Sequence, residues 1–359
     1  MSEINFDPVT LTQSLVKCAS VTPKDEGALT VVENHLSAIG CDCHPLTFSG
    51  NNSYEVKNLF ATIGNEGKHF AYAGHTDVVP VGNESSWKYP PFSAKIDDGK
   101  LYGRGSEDMK SSVACFISAA KRFVDKYKNI PGKISFIITG DEERDSVNGT
   151  PRILEWASKQ NYKFDHCLVG EPTSKNEVGD KVKIGRRGSV SFFFQVKGIQ
   201  GHTANSHLAE NSSHHLVNLL NSILEEQLDE GNENFLPTSV QIATIDIGNP
   251  VQNVIPELAK ATVNIRFNDM HSSDSLIKWI DNKIEKIFSK LENASCTYTY
   301  DATAESFLNK AGDLYNIISK SISDVTGRNS PPEQATDGGT SNAINSVDAI
   351  ASEDLGKLP

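Results

Sequence analysis

Three short apolar runs constrain this chain of 359 residues more than anything else in it. HFAYAGH, KISFIIT and HCLVGEP each read as a strand, because each is too short for a helix and rich in aromatic or β-branched residues. Helical patterns separate them. ALTVVENHLSAIG carries an apolar stripe and stops at Gly40. From Met109 to Tyr127, Val113, Phe116, Ile117, Ala120, Phe123 and Val124 fall on one helical face. PRILEWASKQ forms another helix, Asp7-Pro8 caps a first one, and NLFATIG adds a further strand. Strands alternating with helices in this way predict an α/β domain, a mostly parallel sheet flanked by helices.

The pattern changes near residue 188. VSFFFQVKG, ENSSHHLVNLLNSILEEQL, TSVQIATIDIG, KATVNIRFN, SDSLIKWIDNKIEKIFSKL and CTYTYDA follow one another as β-α-β-β-α-β, the order of a small split sheet with both helices on one face. We therefore expect residues 1–187 to form the first part of one domain and 188–300 to form an inserted domain. Residues 301–359, opening with the helix DLYNIISKSISDVTG, should return to the first. A Pro- and Gly-rich loop, RNSPPEQATDGGTS, comes after that helix.

The formal net charge of -12 argues against nucleic acid and anionic membrane surfaces as partners, though local arginines can still bind a small anion in a cleft. The six cysteines are scattered, and Cys41-x-Cys43 lacks the second half of a structural zinc site. They read as reduced thiols of a cytoplasmic protein. No basic-apolar leader pattern and no 18-residue apolar run is present.

The strand ends carry the chemistry. Ligands of open parallel sheets collect beyond the C-terminal ends of the strands. There GHTD supplies His75 and Asp77, TGDEE supplies Asp141, Glu142 and Glu143, and GEP supplies Glu171. Asp108 of GRGSEDMK joins them ahead of a helix. One imidazole among crowded carboxylates forms a nest for a divalent cation such as zinc, which accepts nitrogen and oxygen ligands and relieves the repulsion.

Taken in order, GHTDVVPVG, PPFSAKIDDGKLYGRGSEDMK, TGDEE, GEPTS, GRRGS, QGH and NVIP resemble the co-catalytic zinc amidohydrolases. That family includes acetylornithine deacetylase, aminoacylases and glutamate carboxypeptidases. The resemblance runs from the N-terminus to about Ser341. It implies hydrolysis of an N-acyl amino acid with two zinc ions per subunit, cobalt being able to replace zinc. His75, Asp108 and Glu171 would hold one ion, and Asp108 would bridge to a second ion that Glu143 also binds. Asp77 would hydrogen-bond the other side of the His75 ring and fix its tautomer. Glu142 would be the general base.

The same resemblance makes the inserted domain a dimerisation domain of a homodimer. His202 of QGH would reach the oxyanion from the partner subunit, with Asn253 beside it. Arg186, Arg187 and Arg266 are candidates for a substrate carboxylate, such as a succinyl amide presents, and Thr340 is another. In the family a final histidine completes the second zinc site, but no histidine follows His271 here. The resemblance therefore implies a C-terminal part that is incomplete or altered and a second metal site that is impaired. Two function classes follow: a zinc-dependent N-acyl amidohydrolase, or a family member that binds metal or acyl amino acid without turnover.

Overall fold

The computed structural model describes residues 4–50, 52–309 and 312–337. The chain divides into two compact units. Among the described residues, the first runs up to Val178 and includes Asp313–Ile318; the second comprises Gly179–Gly312 and residues 319–337.

In the first unit, helix α1 (Pro8–Lys17) starts at Asp7, whose carboxylate accepts the Thr10 amide, with Pro8 in the first turn. Helix α2 (Ala28–Ala38) ends in a left-handed Gly40, with the Cys41 amide returning to the Leu36 carbonyl. Strands β1 (Asp42–Gly50), β2 (Ser53–Gly64) and β3 (His69–His75) come next. Helix α3 (Ser111–Lys126), strand β4 (Lys133–Thr139), helix α4 (Thr150–Lys159) and strand β5 (His166–Val169) complete the unit's main elements.

The five-stranded sheet has the order β1-β2-β4-β3-β5 and is mixed. β3 runs parallel to both β4 and β5, while β1–β2 and β2–β4 are antiparallel. The antiparallel part arises because β1 and β2 form a hairpin whose last pair is Gly50 with Ser53. β1 has no sequence signature of its own: Pro45 and alternating polar residues fit an edge strand.

Both faces of the sheet are covered. Phe136 and Ile138 face a core with Leu11, Val32, Leu36, Val113 and Ile117, from α1, α2 and α3. Ile137, between them, faces Phe60, Ile153, Leu154 and Ala157 on the α4 side. KISFIIT is apolar throughout because its neighbours alternate between two cores. Lys110 is fully buried and its ammonium donates to the Leu15 and Cys18 carbonyls at the C-terminal end of α1, where unpaired carbonyls collect. Burial pushes its pKa down to about 8.

The second unit holds β6 (Gly188–Lys197), α5 (Ser212–Leu224), β7 (Ser239–Asp246), β8 (Leu258–Phe267), α6 (Ser273–Phe288) and β9 (Ser295–Ala304), in β-α-β-β-α-β order. Its sheet is antiparallel with the order β7-β8-β6-β9. Phe192, Phe194, Val263 and Ile265 pack with Leu216, Leu220, Leu276 and Ile280, so α5 and α6 share one core with the sheet. Helix α7 (Asp313–Thr326) stops at left-handed Gly327. Lys181–Lys183 pairs in parallel with Glu333–Ala335, more than a hundred residues later. All six cysteines are free thiols. Among the described residues no helix is long and apolar enough to cross a membrane.

Candidate metal centre

The parallel strands set the site. β3 and β4 stay in register to their last pair, His75 with Thr139, and the Thr76 amide continues the ladder to the Thr139 carbonyl. Beyond those ends, β3 delivers His75 and Asp77, β4 delivers Asp141, Glu142 and Glu143, and β5 delivers Glu171 after Gly170. Gly170 is required by close approach: a Cβ there would lie 2.2 Å from the Tyr72 hydroxyl and 2.3 Å from Ser112 Oγ. Asp108 arrives from the irregular turn Ser106–Lys110 ahead of α3. That turn follows left-handed Gly105, where a Cβ would press on Val78 at 2.5 Å.

These side chains converge on one ring nitrogen. His75 is 1 % exposed, and its Nε2 lies 3.2 Å from Asp108 Oδ1, 3.6 Å from Glu171 Oε1 and 3.9 Å from Glu142 Oε2. Two overlapping groups, His75–Asp108–Glu143 and His75–Glu142–Glu171, have ligand atoms within 4.8 Å of one another. Asp108 and Glu171 also share a hydrogen bond.

The other ring nitrogen fixes the tautomer. His75 Nδ1 lies 2.9 Å from the main-chain carbonyl of Asp77. A carbonyl can only accept, so Nδ1 carries the proton and Nε2 is the nitrogen free to bind a cation. The Asp77 carboxylate is farther, at 3.5 Å. Sequence reasoning expected that carboxylate to orient the ring; the nearer acceptor is the carbonyl of the same residue. The carboxylate turns instead to the acidic loop. It accepts the Glu142 amide at 3.1 and 3.2 Å, the Glu143 amide at 3.1 Å and the Thr22 hydroxyl at 2.7 Å.

The electrostatics call for a positive charge. Burial pushes Glu143 up to about 7, against the pull of His75 and with the push of Asp108, Glu142 and Asp77. Burial likewise raises Glu171 to about 8, and the Glu142 and Asp108 carboxylates add to it. Burial alone would lower His75, but the Asp108 hydrogen bond and the Asp77, Glu171 and Glu142 carboxylates raise it to about 10. The hydrogen bond from His75 holds Asp108 low. Without a cation these groups retain protons that a divalent ion would displace. One oriented imidazole nitrogen with several crowded carboxylates fits such an ion.

Sequence reasoning missed the supports of the acidic loop. Tyr54 donates to Asp141 Oδ1 at 2.5 Å and Thr22 binds Asp77, each from a distant part of the chain. No local signal could have found either.

The remaining candidates lie in the second unit. His202 is exposed and its Nδ1 accepts the Ala204 amide at 3.1 Å. It pairs with Val254 in a two-residue ladder, and the Thr203 amide donates to the Asn253 carbonyl, so the QGH and NVIP segments adjoin. Arg186 is buried, with its guanidinium 5.9 Å from the Phe307 ring. Arg266 is half-buried and donates through Nε to Asn264 at 3.1 Å. Burial lowers its pKa, and the neighbouring Arg187 adds to this. Thr340 lies outside the described residues.

Comparison with known proteins agrees with this architecture. Residues 71–349 match the model of peptidase family M20/M25/M40. A succinyl-diaminopimelate desuccinylase of Parvibaculum lavamentivorans is 44 % identical over 338 residues, 94 % of this chain and 84 % of that protein. One from Ehrlichia canis is 44 % identical over 339 residues, 94 % of this chain and 87 % of its own. Among solved structures, aminopeptidase PepT of Bacillus cereus superposes with a TM-score of 0.72 at 17 % identity, covering 97 % of this chain and 88 % of that one. Human carnosine dipeptidase 1 gives 0.67 at 20 % identity, covering 96 % and 87 %. At these identities the structural likeness concerns the fold alone. With a family match over most of its length, close relatives and an imidazole–carboxylate cluster at the strand ends that could hold a cation, the chain belongs to peptidase family M20/M25/M40 and is a metal-dependent hydrolase.

Proposed function

We propose that this chain hydrolyses the amide of N-succinyl-LL-2,6-diaminopimelate, giving succinate and LL-diaminopimelate. The observation that carries the reading is 44 % identity to relatives named succinyl-diaminopimelate desuccinylase across 94 % of the chain. A bound divalent ion, zinc or cobalt, would supply Lewis acidity toward the acyl carbonyl and the attacking water. Two ions per subunit are proposed. His75, Asp108 and Glu171 hold one, supported by their mutual contacts at Nε2 and between the two carboxylates. Asp108 and Glu143 hold the other.

Glu142 is the proton carrier in this reading. Its carboxylate is about a tenth exposed and reaches within 3.9 Å of His75, close to the cluster while open to one side. It takes a proton from the attacking water and passes it to the leaving amine nitrogen. Asp77 holds the loop that presents Glu142, and the Asp77 carbonyl keeps His75 in the tautomer that exposes Nε2. His202 and Asn253 would stabilise the oxyanion, and Arg186, Arg266 and Thr340 would bind substrate carboxylates.

A homodimer through the second unit is proposed as well. The outer strand of its sheet, β7, has one edge without a strand partner among the described residues and is largely exposed, which suits pairing with a second copy. Six free thiols, with Cys115 exposed, support a reducing compartment, the cytoplasm.

Steady-state hydrolysis of N-succinyl-LL-diaminopimelate and N-acetylornithine by the zinc-loaded protein tests the assignment. A higher kcat/KM on the succinyl substrate is expected. Preference for acetylornithine would move the chain to the deacetylases, and no turnover of either by fully loaded protein would make it a binding member of the family.

A further inference from the structure

We propose that Tyr54 is a positioning residue for the hydrolysis, acting through Asp141 on the loop that presents Glu142 and Glu143. Tyr54 lies near the start of β2, outside every motif that marks the site. Its hydroxyl bridges the two ends of the acidic loop, donating to Asp141 Oδ1 and accepting the Asp145 amide at 3.1 Å. Glu142 and Glu143 stand between those ends. Asp141 is buried; its second oxygen accepts the Asn148 amide at 3.3 Å, and its own amide donates to Thr139 Oγ1 at 3.1 Å. Ser53 Oγ donates to Asp145 at 2.9 Å, and Asn148 Nδ2 donates to the Tyr54 carbonyl at 2.8 Å. The Arg144 guanidinium sits 5.7 Å from the Tyr54 ring centre.

The loop is thus gripped from two sides. Asp77 holds the amides of Glu142 and Glu143 from β3, and the Tyr54 hydroxyl holds the flanks from β2. Such a grip is needed because the loop carries two adjacent carboxylates toward Asp108 and Glu171, and like charges push it outward. A single hydroxyl that satisfies one acceptor and one donor at the two ends fixes the length of the span. Removing it leaves a buried carboxylate oxygen short of a donor and releases the Asp145 end, which costs more than an average hydrogen bond because the acceptor is charged. Neither Tyr54 nor Asp141 is placed in contact with substrate, so the effect is on the aim of Glu142 and Glu143.

The test compares Tyr54→Phe, Asp141→Asn and the double variant, with circular dichroism confirming the fold. The inference rests on the amidohydrolase reading for its kinetic arm only. Rates are taken on whichever N-acyl amino acid the wild-type protein cleaves, and a zinc titration of ion-free protein needs no substrate at all. For Tyr54→Phe, kcat should fall about ten- to a hundredfold with KM within about twofold, the loss expected of a charged hydrogen bond. The weaker zinc step should weaken by about the same factor. Asp141→Asn must set an NH₂ against either the Tyr54 hydroxyl or the Asn148 amide, and it should give the same pattern. The double variant should lose no more than Asp141→Asn alone. Losses that multiply, or kcat and zinc affinity unchanged in Tyr54→Phe, would overturn the proposal. If Tyr54→Phe does not fold, unchanged readouts in Asp141→Asn would overturn it equally.

Discussion

Replacing Asp77 by Asn separates two roles for that carboxylate. If it only orients His75, losing its charge should weaken the metal by about ten- to a hundredfold and leave ion-free stability alone. The structure argues otherwise, since the carboxylate is 1 % exposed and accepts the Glu142 and Glu143 amides and the Thr22 hydroxyl. All three partners are donors, so the Asn NH₂ must face one of them. Charged acceptors make hydrogen bonds about twice as strong as neutral ones, so one bond lost and two weakened amount to roughly 3 kcal/mol. Relief of repulsion among the carboxylates offsets part of that, leaving about 2 kcal/mol. For a unit of this size, about 2 kcal/mol is a fall of about 4–8 °C in Tm. The assay is thermal unfolding in excess chelator, so that metal linkage does not enter. An ion-free Tm within about 1 °C of wild type, with zinc affinity reduced, would refute the reasoning.

Stability without metal should fall as pH rises from about 5 to about 8. Glu143 and Glu171 are raised in the fold to about 7 and about 8, so the native state binds more protons than the unfolded chain in that window. His75, raised to about 10, acts in the same direction. Chelator-treated melts from pH 5 to 8 check this, and saturating zinc should flatten the trend. Glu142→Ala should reduce kcat by about 10²–10⁴ while metal content stays near wild type, whereas Glu143→Ala should lose the weaker ion first; atomic absorption beside kinetics distinguishes them. His75 has one nitrogen to offer, and in the proposed scheme it serves the ion that Asp108 and Glu171 hold, leaving only the Asp108 and Glu143 carboxylates for the other. Calorimetric titration should therefore find one tight zinc and one much weaker ion per chain, and two equally tight sites would contradict it.

Much of this was legible in the sequence, for identifiable reasons. β3 and β4 could be read because HFAYAGH and KISFIIT are apolar runs bounded by polar residues. Parallel strands send their following residues to one edge, so His75, the Glu142–Glu143 pair and Glu171 could be placed at strand ends together. β1 could not be read, because an edge strand with His44 and Pro45 buries too little to leave a pattern. The pairing of Lys181–Lys183 with Glu333–Ala335 is a contact across most of the second unit that no local window contains. The same limit hid Tyr54 and Thr22, whose partners lie 87 and 55 residues away. The direction of the Asp77 side chain was out of reach too. It depends on where the Glu142–Glu143 amides point, and those belong to another strand's loop.

The mixed sheet has a consequence for how such a site can diversify. In an all-parallel sheet every strand next to the metal cluster would end there in a loop free to lengthen. Here β2 runs against β4, so what it brings to that edge is its beginning, close after the turn from β1. A tight hairpin turn tolerates insertion poorly, because one added residue changes its register. The side of the cluster bordered by β2 is therefore closed to gradual remodelling, and within the first unit variation around it is left to the loops after β3, β4 and β5.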